Sequence, residues 1–318
     1  DGCTVPKRPA SVRYWVTEGA GGGSAPGRFA VDIAQESGAT VTEEVGALIQ
    51  ATGFTPYDMM KLPELGAGKS PNVVDQLGLE KLVKAAQDNG GGAVKRPSDG
   101  GEVKSVVFIQ CAGQRDEAME SGGKHLPYCS GHCCATSIKQ AMYFKDANPD
   151  IDTMVMYTDL RVPGTGEDFY RSGQQKGVTF TKGKTSSVEA AGNACKVSVE
   201  ADLVVLATGM VANSGMNIDI PEEEVARMEV KPISILNLNY RQGKDMPQLK
   251  NGFADSHFIC FPYETRRTGI YAAGPVRRPM DMTQAIEDAT GAAMKAIQAV
   301  ENASLGRAAH PRAGDLSY

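Results

Sequence analysis

Three short apolar runs, each stopped by a glycine, constrain this chain more than any other feature. They are VGALIQATGF (Val45 to Phe54), SVVFIQCAGQRD (Ser105 to Asp116) and ADLVVLATGM (Ala201 to Met210). Nearly continuous runs of this kind, rich in β-branched residues, are expected of strands buried in a parallel sheet whose C-terminal ends open on a ligand crevice. Helical patterns lie between and after them: GLEKLVKAAQ (Gly78 to Gln87), ATSIKQAMYFKD (Ala135 to Asp146) and MTQAIEDATGAAMKAIQAV (Met282 to Val300). The fold class is therefore α/β.

The middle run predicts a βαβ unit: strand Ser105 to Gln110, helix 135–146, a turn at Asn148-Pro149-Asp150, then strand Thr153 to Thr158, with the two strands parallel. SGATVTEEVGALI and KGVTFTKGKTSSVEAAGNACKVSVEADLVVL add alternating strand pairs. The Gly/Pro-rich segment Asp88 to Glu102 reads as a linker or surface loop into the middle unit, and Val211 to Glu224 as an exit from it. The expected domains are thus 1–95, 96–212 and 213–318. Gly19 to Arg28 reads as a flexible crossing; with no clean strand before it, it makes a poor phosphate cradle.

The chain has 318 residues, 41% of them hydrophobic, and a net charge of -5 without a basic block. Nucleic acid is therefore not an expected partner. No apolar run reaches the roughly 18 residues needed to span a bilayer, so any membrane link would run through a partner protein. The start, Asp-Gly-Cys without a methionine, reads as a cut inside a longer chain.

Seven cysteines are present, and Cys111, Cys129, Cys133 and Cys134 fall within 24 residues, while Cys3, Cys195 and Cys260 are scattered and read as packing residues. That distribution argues against a secreted disulfide framework and for a thiolate-ligated metal centre in a reducing compartment such as the cytoplasm. Strand end and helix start are adjacent in a βα unit, so Cys111 should meet the other three. Zinc and an iron–sulfur cluster are both open; adjacent cysteines suit a tetrahedral knuckle poorly, which favours the cluster. A Cys133–Cys134 disulfide is the redox alternative, and His132 is either a ligand or a hydrogen-bond donor to the site. Cys111 also stands where a G-x-G-x-x-G turn would place its first glycine, so a pyridine nucleotide is not expected in this unit.

The two ATG triplets together with GIYAAGPV (Gly269 to Val276) resemble the two-dinucleotide-domain flavoprotein disulfide reductases, thioredoxin reductase in particular. The resemblance implies two Rossmann-like three-layer domains, one inserted in the other. It also implies FAD at Ala51, Thr52, Gly53, Thr208, Gly209, Gly274, Gln284 and Ala285, although Pro275 stands where the family usually has aspartate.

A more specific likeness follows from ATGFTPYD, KSPNVVDQLGLEKLV, RPSDG, VVFIQCAGQRD, YCSGHCCATSIKQA, KGVTF, ADLVVLATGM and GIYAAG, taken in order. Across about residues 40–300 the chain resembles the HdrA family of heterodisulfide reductase subunits. Within that family it is nearest to the HdrA-like flavoprotein subunits (QmoB) of the quinone-interacting membrane-bound oxidoreductase of sulfate reducers. The resemblance implies a [4Fe-4S] cluster on Cys111, Cys129, Cys133 and Cys134, and places Lys139 and Glu80 near the isoalloxazine ring. From the residues alone, these two are a solvated helix lysine and a glutamate of an amphipathic helix. The family's N-terminal G-x-G-x-x-G unit and its ferredoxin-like clusters are missing, which implies an N-terminally truncated piece.

The function so implied is electron transfer between FAD and cluster, in complex with other iron–sulfur and flavoprotein subunits and in some cases a membrane quinone-reactive one. The alternatives are an NAD(P)H-dependent flavoprotein disulfide reductase and a zinc-binding structural module.

Overall fold

Val106 to Ile109 form the middle of a five-stranded parallel sheet and have both faces covered. The structure, a computed structural model, describes residues 11–15, 28–34, 40–118, 120–191, 194–196, 199–213, 237–239, 250–254, 262–265 and 269–305. It divides into two compact units, 56–211 and 1–55 with 212–318. The expected first boundary at 95/96 therefore moves to Thr55/Pro56. The reason is that Val73–Asp75 and the helix Gln76–Asp88 belong to the central sheet unit.

In the 56–211 unit the strand order is Val73–Asp75, Leu203–Thr208, Ser105–Ala112, Asp152–Tyr157, Thr179–Lys182, and every pairing is parallel. Alternation along the central strand sends Val106 and Phe108 into one core with Leu79, Ala141 and Phe144. Val107 and Ile109 enter another with Leu62, Leu65 and Val204. The Phe108 and Phe144 rings meet edge to face, centroids 6.5 Å apart. The predicted βαβ unit is present as Ser105–Ala112, helix Cys133–Ala147 and Asp152–Tyr157.

Of the two readings of Asp88 to Glu102 the structure has the surface loop, with its charges tied to the sheet. Arg96 pairs with Asp99 at 2.8 Å and Asp202 at 2.7 Å, and Asp202 accepts the backbone N–H groups of Lys104 (2.8 Å) and Ser105 (3.2 Å). One carboxylate thus holds the start of the central strand.

In the other unit the run expected over Val45 to Phe54 is broken. Thr40–Val45 pairs antiparallel with Arg28–Ala34, the chain bends at Gly46, and Leu48–Gln50 pairs in parallel with Ile270–Ala272. A Cβ on Gly46 would lie 3.1 Å from Val300 of the C-terminal helix Met282–Ser304, so glycine permits that approach. Tyr271, Ala296 and Ala299 pack together with Ala47. Ser11–Trp15 joins Asn237–Asn239 in parallel and Arg28–Ala34 antiparallel. Cys3, Cys260, most of the Gly19 to Arg28 crossing and most of the Val211 to Glu224 exit lie outside the described residues. Among the described residues no helix is long and apolar enough to cross a membrane.

Candidate metal centre

The central strand carries an irregularity where its cysteine sits. Ile109 pairs with Leu206, but the next partners are Ala112 and Thr208, so Gln110 and Cys111 together oppose Ala207. This is a β-bulge, which re-aims side chains at a strand end. Cys111 sits in the left-handed region with φ 59°, as does Arg115 with φ 61°. That conformation is uncommon for residues other than glycine and is held only where the surroundings impose it. Gln110 is 6% exposed and neither amide atom finds a partner. A cavity of about 510 Å³ opens beside the bulge, lined by Gln110, Cys111, Arg115, Thr158 and Lys184 among others.

The loop before the helix is sewn to this strand end. Leu126 N–H donates to Gly113 O at 2.9 Å, Asp116 N–H to Leu126 O at 3.0 Å and Arg115 N–H to Tyr128 O at 3.0 Å. The Tyr128 hydroxyl donates to Met210 O at 2.7 Å, and Met210 N–H donates to the Ser130 hydroxyl at 2.8 Å. These bonds overcome the sequence separation between Cys111 and Cys129. Cys133 and Cys134 then open the helix Cys133–Ala147, where unsatisfied N–H groups and the helix dipole favour thiolate.

All four cysteines are free thiols, Cys133 and Cys134 buried, Cys111 and Cys129 half-buried. N–H donors face three of the sulfurs: Gln114 Nε2 to Cys133 Sγ at 3.4 Å, Arg161 N to Cys134 Sγ at 3.4 Å, and Arg115 Nη1 to Cys111 Sγ at a longer 4.0 Å. Arg115 is itself held by Asp159 at 2.8 Å. The Cys134 thiol is lowered to about 7, first by a hydrogen bond from Cys133 and then by the Arg161 N–H. Cys133 is pushed up as the donor of that bond and by burial, and burial also raises Cys111 against the pull of Arg115. Cys111 lies within electrostatic reach of Cys129, Cys133 and Cys134. Burial lowers His132 to about 4, so its imidazole is neutral at pH 7.

Among the described residues no three His, Cys, Asp or Glu side chains surround a position for a single metal ion. Four soft thiols spread over a strand end, a loop and a helix start, with N–H donors on three sulfurs and an unsatisfied buried amide beside them, suit a multi-iron cluster better than zinc.

A buried polar network around Cys133 was not anticipated from sequence. Gln76 Nε2 donates to Cys133 O and to Ser137 Oγ, both at 2.9 Å, and Gln140 Nε2 donates to Gln76 O at 2.8 Å and Glu80 Oε1 at 3.0 Å. Glu80 in turn pairs with Lys139 at 2.8 Å, with side chains 37% and 46% exposed. Burial pulls Lys139 down, but the Glu80 and Tyr143 contacts outweigh it and its pKa is raised. The only hint in sequence was the amide-rich spacing of Gln76, Gln110, Gln114 and Gln140 inside otherwise apolar elements.

The residues expected at a flavin separate into two groups. Thr208 is buried in the sheet, and Gly209 packs under the cysteine loop, where a Cβ would come within 2.8 Å of Leu126, Ser130 and Gln114. In the other unit Ala51 and Thr52 are exposed and Gly53 has φ 70° with open space around it. Gln50 is buried, donates to Thr52 Oγ1 at 3.2 Å and leaves its Oε1 without a partner, so an acceptor is left over beside this triplet. Gly274 (φ 74°) faces Ala285. Gln284 is exposed and is used as a helix cap, exchanging hydrogen bonds with Asp281. Asp288, one turn on, is the residue that reaches Gly274, accepting its N–H at 2.8 Å and holding the buried Arg277 at 3.0 Å.

Parallel sheet, bulged strand end and neighbouring thiols define the class, an α/β protein with a group of free cysteines at its strand ends. No family model matches the chain. It is 32% identical over 268 residues to the HdrA subunit of the H(2):CoB-CoM heterodisulfide,ferredoxin reductase of Methanothermobacter thermautotrophicus, covering 80% of this chain and 37% of that protein. It is 33% identical over 283 residues to an iron-sulfur HdrA subunit of the CoB-CoM heterodisulfide reductase of Methanopyrus kandleri, covering 84% and 39%. The chain is a homologue of the HdrA subunits of heterodisulfide reductase and belongs to that family. It spans less than two fifths of the length of these relatives. Among solved structures it is similar to Lactococcus lactis thioredoxin reductase, with TM-score 0.41, 14% identity, 85% of this chain and 69% of that one covered.

Proposed function

We propose that this chain is the part of a heterodisulfide reductase-like HdrA protein that carries a [4Fe-4S] cluster on Cys111, Cys129, Cys133 and Cys134 and one side of an FAD site, and that it passes electrons between the two. The single observation that supports this reading most is the bulged strand end at Cys111 beside the helix start at Cys133 and Cys134, with N–H donors on these three sulfurs. A bound cluster supplies one-electron chemistry. The protein's own groups supply the surroundings. Arg115 places positive charge beside Cys111 and is kept in place by Asp159. Helix position and the Arg161 N–H favour the thiolate at Cys134.

On the flavin side the residues proposed are Ala51, Thr52, Gly53, Gly274 and Ala285, with the spare Gln50 Oε1 as an acceptor. Lys139, kept cationic by Glu80, is proposed to stabilise negative charge on a reduced ring. We further propose a cytoplasmic complex with other iron–sulfur and flavoprotein subunits. The relatives' names support a heterodisulfide or ferredoxin couple. The second arrangement, with a membrane quinone-reactive partner, rests on the sequence resemblance to the quinone-interacting complexes alone.

Anaerobic purification followed by iron and flavin determination tests the reading. The expected result is a brown protein with about four irons per chain that binds FAD, and a Cys134→Ser variant with bleached visible absorbance. A colourless zinc protein, NADPH-driven thiol release, or unchanged iron in Cys134→Ser would overturn it.

A further inference from the structure

Cys133 is held from two directions, and the two holds differ chemically. Its carbonyl accepts from Gln76 and its sulfur accepts from Gln114. The Gln114 amide is fully used: Nε2 also donates to Ala207 O at 3.0 Å, while Oε1 accepts the Ser130 N–H at 3.1 Å. The Ser130 N–H can only donate, so it fixes which end of the amide faces the sulfur. Gly209, whose Cβ would fall 2.8 Å from Gln114 Cδ, closes the remaining side. Gln114 is 7% exposed and Cys133 2%, so the N–H to sulfur interaction is not diluted by solvent.

The other donors differ from this one. Arg161 donates through its backbone, and Arg115 stands at 4.0 Å with its charge offset by Asp159. Gln114 is thus a buried, neutral side-chain N–H donor to one of the four sulfurs. A donor of this kind stabilises the more negative, reduced state of a thiolate-ligated centre and raises its reduction potential.

We propose that Gln114 is the positioning residue that sets the reduction potential of the cysteine centre, through its amide N–H on the Cys133 sulfur. This rests on the cluster reading above. The test uses the anaerobically purified holoprotein and the variants Gln114→Met, which keeps an unbranched side chain but loses the donor, and Gln114→Glu, which keeps the acceptor for Ser130 N–H.

Iron content and visible absorbance come first, then a redox titration followed by electron paramagnetic resonance. The expected result is a lowered potential in each iron-replete variant. At fixed ambient potential the reduced-to-oxidised ratio should fall about tenfold, which is ~59 mV for a one-electron couple, and further in Gln114→Glu than in Gln114→Met. Deuterium exchange should also remove one exchangeable-proton coupling from the reduced wild-type signal that is already missing in Gln114→Met.

Wild-type potentials in both iron-replete variants would overturn the proposal. So would loss of iron from both, since Gln114 would then hold the site together and not tune it. Absence of iron from the wild type would instead sink the cluster reading itself.

Discussion

Replacing Gly209 by alanine separates two roles for the glycine that ends the Leu203–Thr208 strand. As a flavin-facing glycine, it would cost flavin affinity and little else. The structure instead places the added methyl 2.7 Å from Leu126 Cδ1, 2.7 Å from Ser130 Oγ and 2.8 Å from Gln114 Cδ. Contacts this short require something to move, and overpacking plus the lost Met210 N–H to Ser130 bond amounts to about 2–4 kcal/mol. For a unit of this size that is a melting-temperature fall of roughly 5–15 °C.

Gly53→Ala is the comparator. It has open space, but its φ of 70° carries only the left-handed penalty of about 1–2 kcal/mol. Thermal unfolding by near-UV circular dichroism, with iron uptake on anaerobic reconstitution, distinguishes the two. Gly209→Ala should melt lower and take up less iron because the loop bearing Cys129 is displaced, while Gly53→Ala should keep its iron. Wild-type melting and full iron uptake in Gly209→Ala would refute the packing argument.

Asp202→Asn tests the clamp at the start of the central strand. Burial alone would raise the Asp202 pKa, but the Lys104 and Ser105 N–H groups and Arg96 outweigh it and hold it below 3.8. The folded state then binds fewer protons than the unfolded chain, so the stability is present above about pH 4 and lost as pH falls through the lower folded value. The variant should lose about 1–3 kcal/mol at neutral pH and show a shallower acid limb in urea titrations from pH 7 to 2. An unchanged limb would mean that the carboxylate is not the acid-sensitive group. Asp288→Asn removes the carboxylate paired with the buried Arg277, 4% exposed, and should cost about 3–5 kcal/mol, read by calorimetry. A loss below about 1 kcal/mol would show that the pair is not balanced as the geometry implies.

The α/β class, the βαβ unit and the convergence of Cys111 with the cysteine-rich helix start were legible because they depend on local patterns: continuous apolar runs, a helical period and a strand end adjacent to a helix start. The first domain boundary was not. A Gly/Pro-rich segment looks like a linker until Arg96 and Asp202 are seen to meet, and no local pattern reports a contact between residues so far apart in sequence. Gln284 shows a related limit of local pattern. Its place in Q-A-I matched a flavin motif, while its position three residues after Asp281 made it half of a capping pair. The glutamines around Cys133 stayed hidden because a buried amide next to apolar residues looks like an exposed one in sequence.

The bulge at Gln110 and Cys111 makes the centre depend on a residue count as much as on residue identity. Side chains alternate with period two along a strand, so deleting Gln110 would restore even pairing with Leu203–Thr208 and turn the cysteine to the opposite face with its chemistry intact. An insertion of one residue is then enough, in principle, to convert a strand end of the nucleotide-binding kind into one that presents a sulfur. A chain lacking that one residue would match every cysteine in sequence and still lose the arrangement at the strand end.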